Sequence, residues 1–343
     1  MTTSRYDTIV IGAGQAGPGL ALALAERGER VALVEADRLG GTCLNSGCRP
    51  SKALIASARA AHVARSSGHL GVRTDAVRVD LAAIVARKDA LVGGWRDGYA
   101  DLLGAHDNID YIEARATFTG TGEEGHHLVA AADQTLGAPR VVINSGARSV
   151  PPPIPGLETV AWLDHHGILD LTELPEHLVV LGGSYMGLEF AQAFARLGSE
   201  VTVIDLAERI VVGEDPEISE AITAFLTDEG LEIHTGTAID RVSSNGRGIA
   251  LELTGGATKQ ASHLLIAAGR VPNSEALGLD TVGWRPASGA TSRPARSSRR
   301  TSKASTPSAT STVAVPSPTP PTRTTRSSPT ISRAVRAPSP TAP

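Results

Sequence analysis

Two stretches of the chain repeat one succession of apolar runs and helically spaced apolar positions. Asp7-Thr8-Ile9-Val10-Ile11 is a short run rich in β-branched residues, Leu20 to Arg27 places its leucines and alanines at helical spacing, and Arg30-Val31-Ala32-Leu33-Val34 is largely apolar again. The pattern predicts strand, helix, strand. It recurs downstream, where His177 to Leu181 reads as a strand, the next segment as a helix through Leu197, and Glu200 to Ile204 as a second strand. Strands alternating with helices predict parallel sheets, so the fold class is α/β with two Rossmann-like dinucleotide-binding domains. Between them, Ser51 to Ser66 predicts an alanine-rich helix, Leu81 to Leu103 one or two amphipathic helices, and Ile109 to Asn144 several short strands. The run Pro151-Pro152-Pro153-Ile154-Pro155-Gly156 predicts a stiff linker. The expected domains are therefore residues 1–150 and 151–275, with 276–283 beginning a return to the first domain.

Each strand-to-helix junction carries glycines. The first reads Gly12-Ala13-Gly14-Gln15-Ala16-Gly17. Gly12 permits the tight turn, Gly14 lets backbone approach a pyrophosphate, and Gly17 lets helix and strand pack, while the helix N-terminus offers free N–H groups. Glu35, eighteen positions after Gly17 and at the end of the second strand, is placed to accept from ribose hydroxyls. The second junction reads Gly182-Gly183-Ser184-Tyr185-Met186-Gly187, with Asp205 in the acidic position. Ser184 replaces the middle glycine and adds bulk where a pyrophosphate comes closest. Asp205 disfavours a 2′-phosphate and so favours NAD, while Arg209 nearby keeps NADP open.

Composition changes near Gly283. From Trp284 onward there is no Leu, Phe, Tyr, Met, Asp, Glu, Asn, Gln, His or Cys, and Ser, Thr, Pro, Ala and Arg supply nearly everything. Residues 284–343 are accordingly expected to be disordered. That tail holds ten of the 32 basic residues, leaving residues 1–283 with 22 Lys and Arg against 36 Asp and Glu, a net charge of −14. An acidic body without a basic, aromatic-laced face argues against nucleic acid, and no apolar run reaches membrane-spanning length. The N-terminal residues pass straight into the first strand, with no room for a signal segment, so a cytoplasmic protein is expected.

The only two cysteines, Cys43 and Cys48, stand five positions apart in Gly40-Gly41-Thr42-Cys43-Leu44-Asn45-Ser46-Gly47-Cys48. In a reducing compartment such a pair points to catalysis or metal, and the absence of a neighbouring Cys or His cluster in the sequence disfavours metal. A helix opening near Pro50-Ser51-Lys52 would leave Cys48 by a helix N-terminus, with Arg49 and Lys52 adding positive charge. That environment predicts a lowered thiol pKa.

The run from Gly40 to Lys52 resembles the redox-active disulfide motif of the class I pyridine nucleotide–disulfide oxidoreductases, the family of dihydrolipoamide dehydrogenase, glutathione reductase and mercuric reductase. The resemblance extends from residue 5 to about 283 and includes Ile143-Asn144-Ser145-Gly146-Ala147-Arg148, Gly182 to Glu189, and Ala267-Ala268-Gly269-Arg270-Val271-Pro272-Asn273. It implies that FAD occupies the first cradle and a nicotinamide nucleotide the second, with Gly41, Thr42, Gly146 and Gly269 among the cofactor-binding residues. It also implies that hydride passes to the flavin and electrons on to the Cys43–Cys48 disulfide. Cys43 would be the thiol that meets substrate and Cys48 the flavin-side partner in a charge-transfer pair. Lys52 would lie by the flavin and pair with Glu189, and Tyr185 would cover the nicotinamide pocket. Arg49 departs from the family, which usually has an uncharged residue there, as does Ser145, where Thr is common.

The likeness stops where the family's second flavin-binding segment should begin. Reading the last base of each codon with the first two of the next from Arg300, suitable synonymous codons spell a string containing Gly-Ile-Tyr-Ala-Ile-Gly-Asp-Val, which resembles that segment. A frameshift near Gly283 is therefore expected. The chain as written then lacks the motif's acidic residue and the interface domain that in the family makes the homodimer and supplies a His–Glu base. The expected activity is FAD-dependent NAD(P)H oxidation with electrons delivered to a small-molecule, disulfide or metal-ion acceptor. The alternatives are a non-catalytic remnant that binds a nicotinamide nucleotide but holds FAD poorly, or a flavin reductase that bypasses the dithiol.

Overall fold

The apolar runs pair side by side. In the computed structural model, which describes residues 3–244, 246, 248–284 and 313–316, a short strand Thr3–Arg5 (β1) precedes Thr8–Ile11 (β2), helix Gly17–Ala25 (α1) and Val31–Glu35 (β3). Two helical pieces follow, Gly41–Asn45 (α2) and Cys48–Ser66 (α3), then a long helix Leu81–Gly104 (α4). Strands Ile109–Glu113 (β4), Ala116–Thr121 (β5), His127–Ala131 (β6), Gln134–Ala138 (β7), Arg140–Ile143 (β8) and Ala147–Ser149 (β9) complete the first half. β2 lies between β3 and β8, with Ile9 opposite both Ala32 and Val141, and β4 extends the sheet beyond β3, all in parallel.

Strand alternation sorts the two faces of that sheet. Val10 and Leu33 turn toward α1, packing with Ala21 and Leu24. Ile9, Ile11 and Val34 turn the other way, onto Phe118, Val129 and Leu136 of a small sheet ordered β1-β7-β6-β5. Both faces are covered, so β2 is buried throughout.

The second half repeats the plan with His177–Leu181 (β10), helix Tyr185–Leu197 (α5), Glu200–Ile204 (β11), helix Pro216–Asp228 (α6) and Glu232–His234 (β12). Ile239–Ser244 (β13), Ile249–Leu253 (β14) and Thr258–Ala261 (β15) form an antiparallel sheet, and His263–Ile266 (β16) completes the parallel order β12-β11-β10-β16. Leu178, Val180 and Val203 face Phe190 and Phe194 of α5. Val179, Leu181 and Ile204 face Val242 and Leu251 of the antiparallel layer.

Chain entry and exit lie together. β9 leads through the proline run into the second half, and Arg270–Pro272 (β17) leads out, pairing antiparallel with β9. Leu277 and Leu279 then return to the core of the first half. The halves also share apolar packing, because Leu54 and Ala58 of α3 and Leu81 and Val85 of α4 bury against the α5 side of the second sheet.

Of the one or two helices expected there, residues 81–104 form one, capped by Asp80, which accepts from Ala83 N at 2.9 Å. Other expectations need correction. α3 opens at Cys48, and Cys43 already sits inside α2. Most of the expected disordered tail lies outside the described residues, but Trp284 packs against the first core, and Val313–Pro316 form a strand (β18) antiparallel to β8. The alternation of valine in a stretch free of Arg gives these four residues strand character, and the outer edge of β8 supplies unpaired N–H and C=O groups for them.

Candidate active site

The first cradle is built from backbone contacts that only glycine permits. Gly12 adopts φ +104°, and a Cβ there would stand 2.2 Å from Asn144 O; at Gly17 it would stand 2.1 Å from Gly12 O. Gly41, at φ +55°, would direct its Cβ to within 2.7 Å of Gly14 Cα, so the dithiol segment lies directly on the glycine turn. Gly14 keeps open space, its nearest neighbour being the Asn144 amide at 3.9 Å. Glu35 Oε2 accepts from Ala13 N at 2.7 Å and Oε1 from Asp37 N at 3.0 Å, which fixes its carboxylate at the strand end with lone pairs to spare.

A cavity of about 550 Å³ runs along this cradle, lined by Gly12, Gly14, Glu35, Gly41, Thr42 and Gly146 among others. Asn144 Oδ1 is buried in its wall with no protein partner, an acceptor awaiting a donor. Size, glycine floor and unpaired acceptor fit the adenosine diphosphate portion of FAD. Lys52 and the two sulfurs are not among the lining residues. Gly269 stands apart as well, exposed in the loop before β17, where its carbonyl accepts from Val150 N at 3.5 Å.

The loop carrying the sulfurs is held by its own polar side chains. Asn45 Nδ2 donates to Leu39 O at 3.0 Å and Gly41 O at 2.9 Å, and Ser51 Oγ donates to Gly47 O at 2.7 Å. Cys43 and Cys48 are free thiols, close enough that Cys48 acts on the ionisation of Cys43. Burial, reinforced by the Cys48 hydrogen bond, pushes the Cys43 thiol up to about 11. At Cys43 desolvation outweighs the Arg49 charge, which acts the other way.

Lys52 and Glu189 join the two halves. Lys52 Nζ donates to both carboxylate oxygens, at 2.6 and 2.7 Å, linking α3 to α5. The second cradle repeats the first: Gly182 has φ +117°, and a Cβ on Gly187 would stand 2.0 Å from Gly182 O. Asp205 accepts from Gly183 N at 2.5 Å and Ala207 N at 2.7 Å. Ser184 is the exposed N-cap of α5, and Tyr185 is exposed with its hydroxyl donating to Glu214. Arg209 Nη2 donates to Val212 O and Glu214 O, at 3.0 and 3.2 Å, so its guanidinium is engaged away from Asp205.

Sequence reading missed the turn Asp164-His165-His166, which also lines the cavity. His166 Nε2 lies 3.4 Å from Ser46 Oγ in the dithiol loop, and His165 Nδ1 lies 3.2 Å from Ser149 Oγ. Burial holds His165 down to about 4, so it is neutral at pH 7. Burial opposes ionisation of Asp164, but the amides of Gly167 and His166 outweigh it and hold the carboxyl below its ordinary value. The donor atoms of the three residues lie within 4.8 Å of one another, so histidines do stand near the dithiol in space. Three donors fall one short of a closed tetrahedral metal site, and an Asp164 oxygen is already committed to two amides. The adjacent histidines were the one available signal.

Two glycine cradles on parallel sheets, with a pair of cysteines beside the first, are the architecture of the pyridine nucleotide–disulfide oxidoreductase class. The sequence profile described as pyridine nucleotide-disulphide oxidoreductase matches residues 6–288, and the chain belongs to that family of FAD- and NAD(P)H-using enzymes. It is 40% identical over 287 residues to a mercuric reductase of Streptomyces lividans, covering 81% of this chain and 59% of that protein. It is likewise 40% identical over 289 residues to dihydrolipoyl dehydrogenase 3 of Pseudomonas aeruginosa, covering 81% and 61%. Among solved structures it superposes on the HOCl-induced flavoprotein disulfide reductase RclA from Escherichia coli with TM-score 0.71 and 34% identity, covering 81% of this chain and 60% of that one. The chain thus spans about three-fifths of these relatives. Among the described residues no helix is long and apolar enough to cross a membrane.

Proposed function

We propose that this chain carries the cofactor and dithiol machinery of an NADH oxidoreductase that delivers electrons through Cys43 and Cys48 to a disulfide or metal-ion acceptor. The observation that carries the reading is the pair of neighbouring free thiols on a segment that, through Gly41, lies on the glycine turn of the first cradle. When bound, FAD supplies two-electron exchange between the nicotinamide and the sulfur pair. The chain's own residues do the rest. Gly12, Gly14 and the first amides of α1 receive the pyrophosphate, and Glu35 receives the ribose. Lys52, oriented by Glu189, holds positive charge on the side of α3 that faces the second half. Asp205, fixed by two amides, receives a 2′-hydroxyl and repels a 2′-phosphate, and the engaged Arg209 favours NAD over NADP.

Cys43 is assigned the exchange with substrate and Cys48 the flavin-side position, following the family pattern. The decisive experiment reconstitutes the chain with FAD, titrates it with NADH, and counts free thiols as flavin absorbance bleaches. Two new thiols per NADH consumed are expected in the oxidised protein before the flavin bleaches, and none in Cys43→Ser, where the first equivalent of NADH bleaches the flavin directly. Bleaching with no thiols formed in the unsubstituted protein overturns the dithiol relay. A second reading, a remnant that binds NAD but holds FAD poorly, is favoured by the family match ending at residue 288. Protein that stays colourless after incubation with FAD and desalting, yet binds NADH, decides for it.

A further inference from the structure

Arg49 follows Cys48 in the first turn of α3, and its guanidinium lies over two rings of α4, 5.1 Å from the Trp95 centroid and 5.8 Å from that of Tyr99. Trp95 and Tyr99 are four residues apart and share a helix face, so the pair forms a platform that attracts and fixes a cation. Among the described residues no carboxylate pairs with Arg49. All three side chains are half-buried. Helix interiors disfavour glycine, yet Gly94 and Gly98 flank Trp95 in α4, and nothing lies within 4 Å of where their Cβ atoms would stand. The surface beside the platform is therefore open. A fixed, unneutralised cation next to a redox sulfur also runs against the charge of the body, which is −14 over residues 1–283. Its field reaches Cys43, whose ionisation it favours.

We infer that Arg49, held on Trp95 and Tyr99, selects disulfide substrates that carry a carboxylate or similar anion near the sulfur–sulfur bond. The inference rests on the dithiol exchange proposed above. In that exchange a thiolate of the reduced pair attacks one substrate sulfur, the substrate S–S bond breaks, and one substrate thiolate leaves. The second cysteine loses its proton to solvent and displaces the other substrate thiolate as the Cys43–Cys48 bond forms. Two electrons pass to the substrate, and the two cysteine protons balance its two product thiols. An arginine beside the mixed disulfide pairs with the substrate carboxylate and offsets the repulsion of an acidic protein surface.

This exchange needs no flavin, so the full chain can be tested after reduction and desalting. Rates of oxidation are measured with dithiodiglycolate, a dianion, and with bis(2-hydroxyethyl) disulfide, a neutral disulfide of similar size. Arg49→Gln is expected to slow the dianion about tenfold and the neutral disulfide less than about twofold, with Arg49→Lys restoring most of the loss. The ratio of the wild-type to the Arg49→Gln rate with the dianion should fall as salt is raised. Trp95→Leu, which leaves the charge but frees it, should weaken the dianion selectively and covers the case in which Arg49→Gln does not fold. Equal slowing of both disulfides, or no effect on the dianion, overturns the inference. Failure of either disulfide to form an intramolecular Cys43–Cys48 bond, read by mass, overturns the underlying dithiol reading as well.

Discussion

Lys52 and Glu189 stand 137 residues apart in the chain, yet the lysine places its ammonium between both carboxylate oxygens, at 2.6 and 2.7 Å. The contact spans the two nucleotide-binding halves. It is more than a third exposed on both sides, so its value lies in orientation rather than in stability.

Glu189→Gln is therefore expected to change stability by less than about 1 kcal/mol. In FAD-reconstituted protein it should slow NADH-dependent flavin bleaching by about one order of magnitude, as loss of a positioned charge does. Thermal unfolding and stopped-flow absorbance check the two halves of this statement, and a large loss of Tm with an unchanged bleaching rate would refute it.

The two cradle glycines that start α1 and lie in the first turn of α5 should tolerate no side chain. Gly17→Ala and Gly187→Ala each force a Cβ to about 2 Å from a backbone oxygen of the preceding turn. Each is expected to destabilise by about 1–3 kcal/mol through overpacking. Gly17→Ala should lose FAD binding while keeping NADH binding, and Gly187→Ala the reverse, read by desalting with flavin absorbance and by NADH fluorescence.

Cys43 should be slow to alkylate. A thiol pushed up to about 11 by burial and the Cys48 hydrogen bond presents little thiolate near pH 8, so iodoacetamide reactivity should rise steeply only toward pH 11. Cys48→Ser retains the burial but removes the neighbouring thiol charge, and its midpoint should move down toward the ordinary thiol value. The pH–rate profile of alkylation at Cys43, followed by mass, is the measurement.

His165 sets an acid limit. Its folded pKa of about 4 lies below the unfolded value of 6.5, so the unfolded chain binds the proton first as pH falls. Stability from this residue is complete above pH 6.5 and is lost as pH drops toward 4, by about 2 kcal/mol at pH 5. His165→Gln should flatten the pH dependence of urea unfolding between pH 7 and 5, and an unchanged slope would show that other groups control it.

Sequencing the coding DNA should reveal, in the alternative frame beyond residue 283, a family-like continuation including the Gly-Asp pair spelled from Arg300 onward. An intact frame with no such continuation in either alternative frame would defeat the frameshift.

What could be read in advance was local. The strand runs at Thr8 and His177, the glycine turns and the terminal acids Glu35 and Asp205 depend on neighbours within one supersecondary unit, so spacing alone placed them. The features that escaped depend on distant packing. Lys88 is buried with its ammonium on Leu169 O at 2.8 Å, and Arg65 caps the end of α5 through Arg196 O, but neither contact has a signal in the residues around it. His166 meets Ser46 of the dithiol loop across 120 positions of sequence, a contact that no local pattern encodes. Cys43 shows the same limit: burial, which no linear pattern reveals, pushes its thiol up to about 11.

The neighbouring placement of β9 and β17 gives the second half the character of a cassette, entered and left through two paired strands. Substitutions around its own glycine turn can accumulate without disturbing the sheet of the first half. What such exchanges must preserve is the face that α5 presents to α3, where Glu189 meets Lys52 and where Phe190 and Phe194 complete a core built partly by the other half.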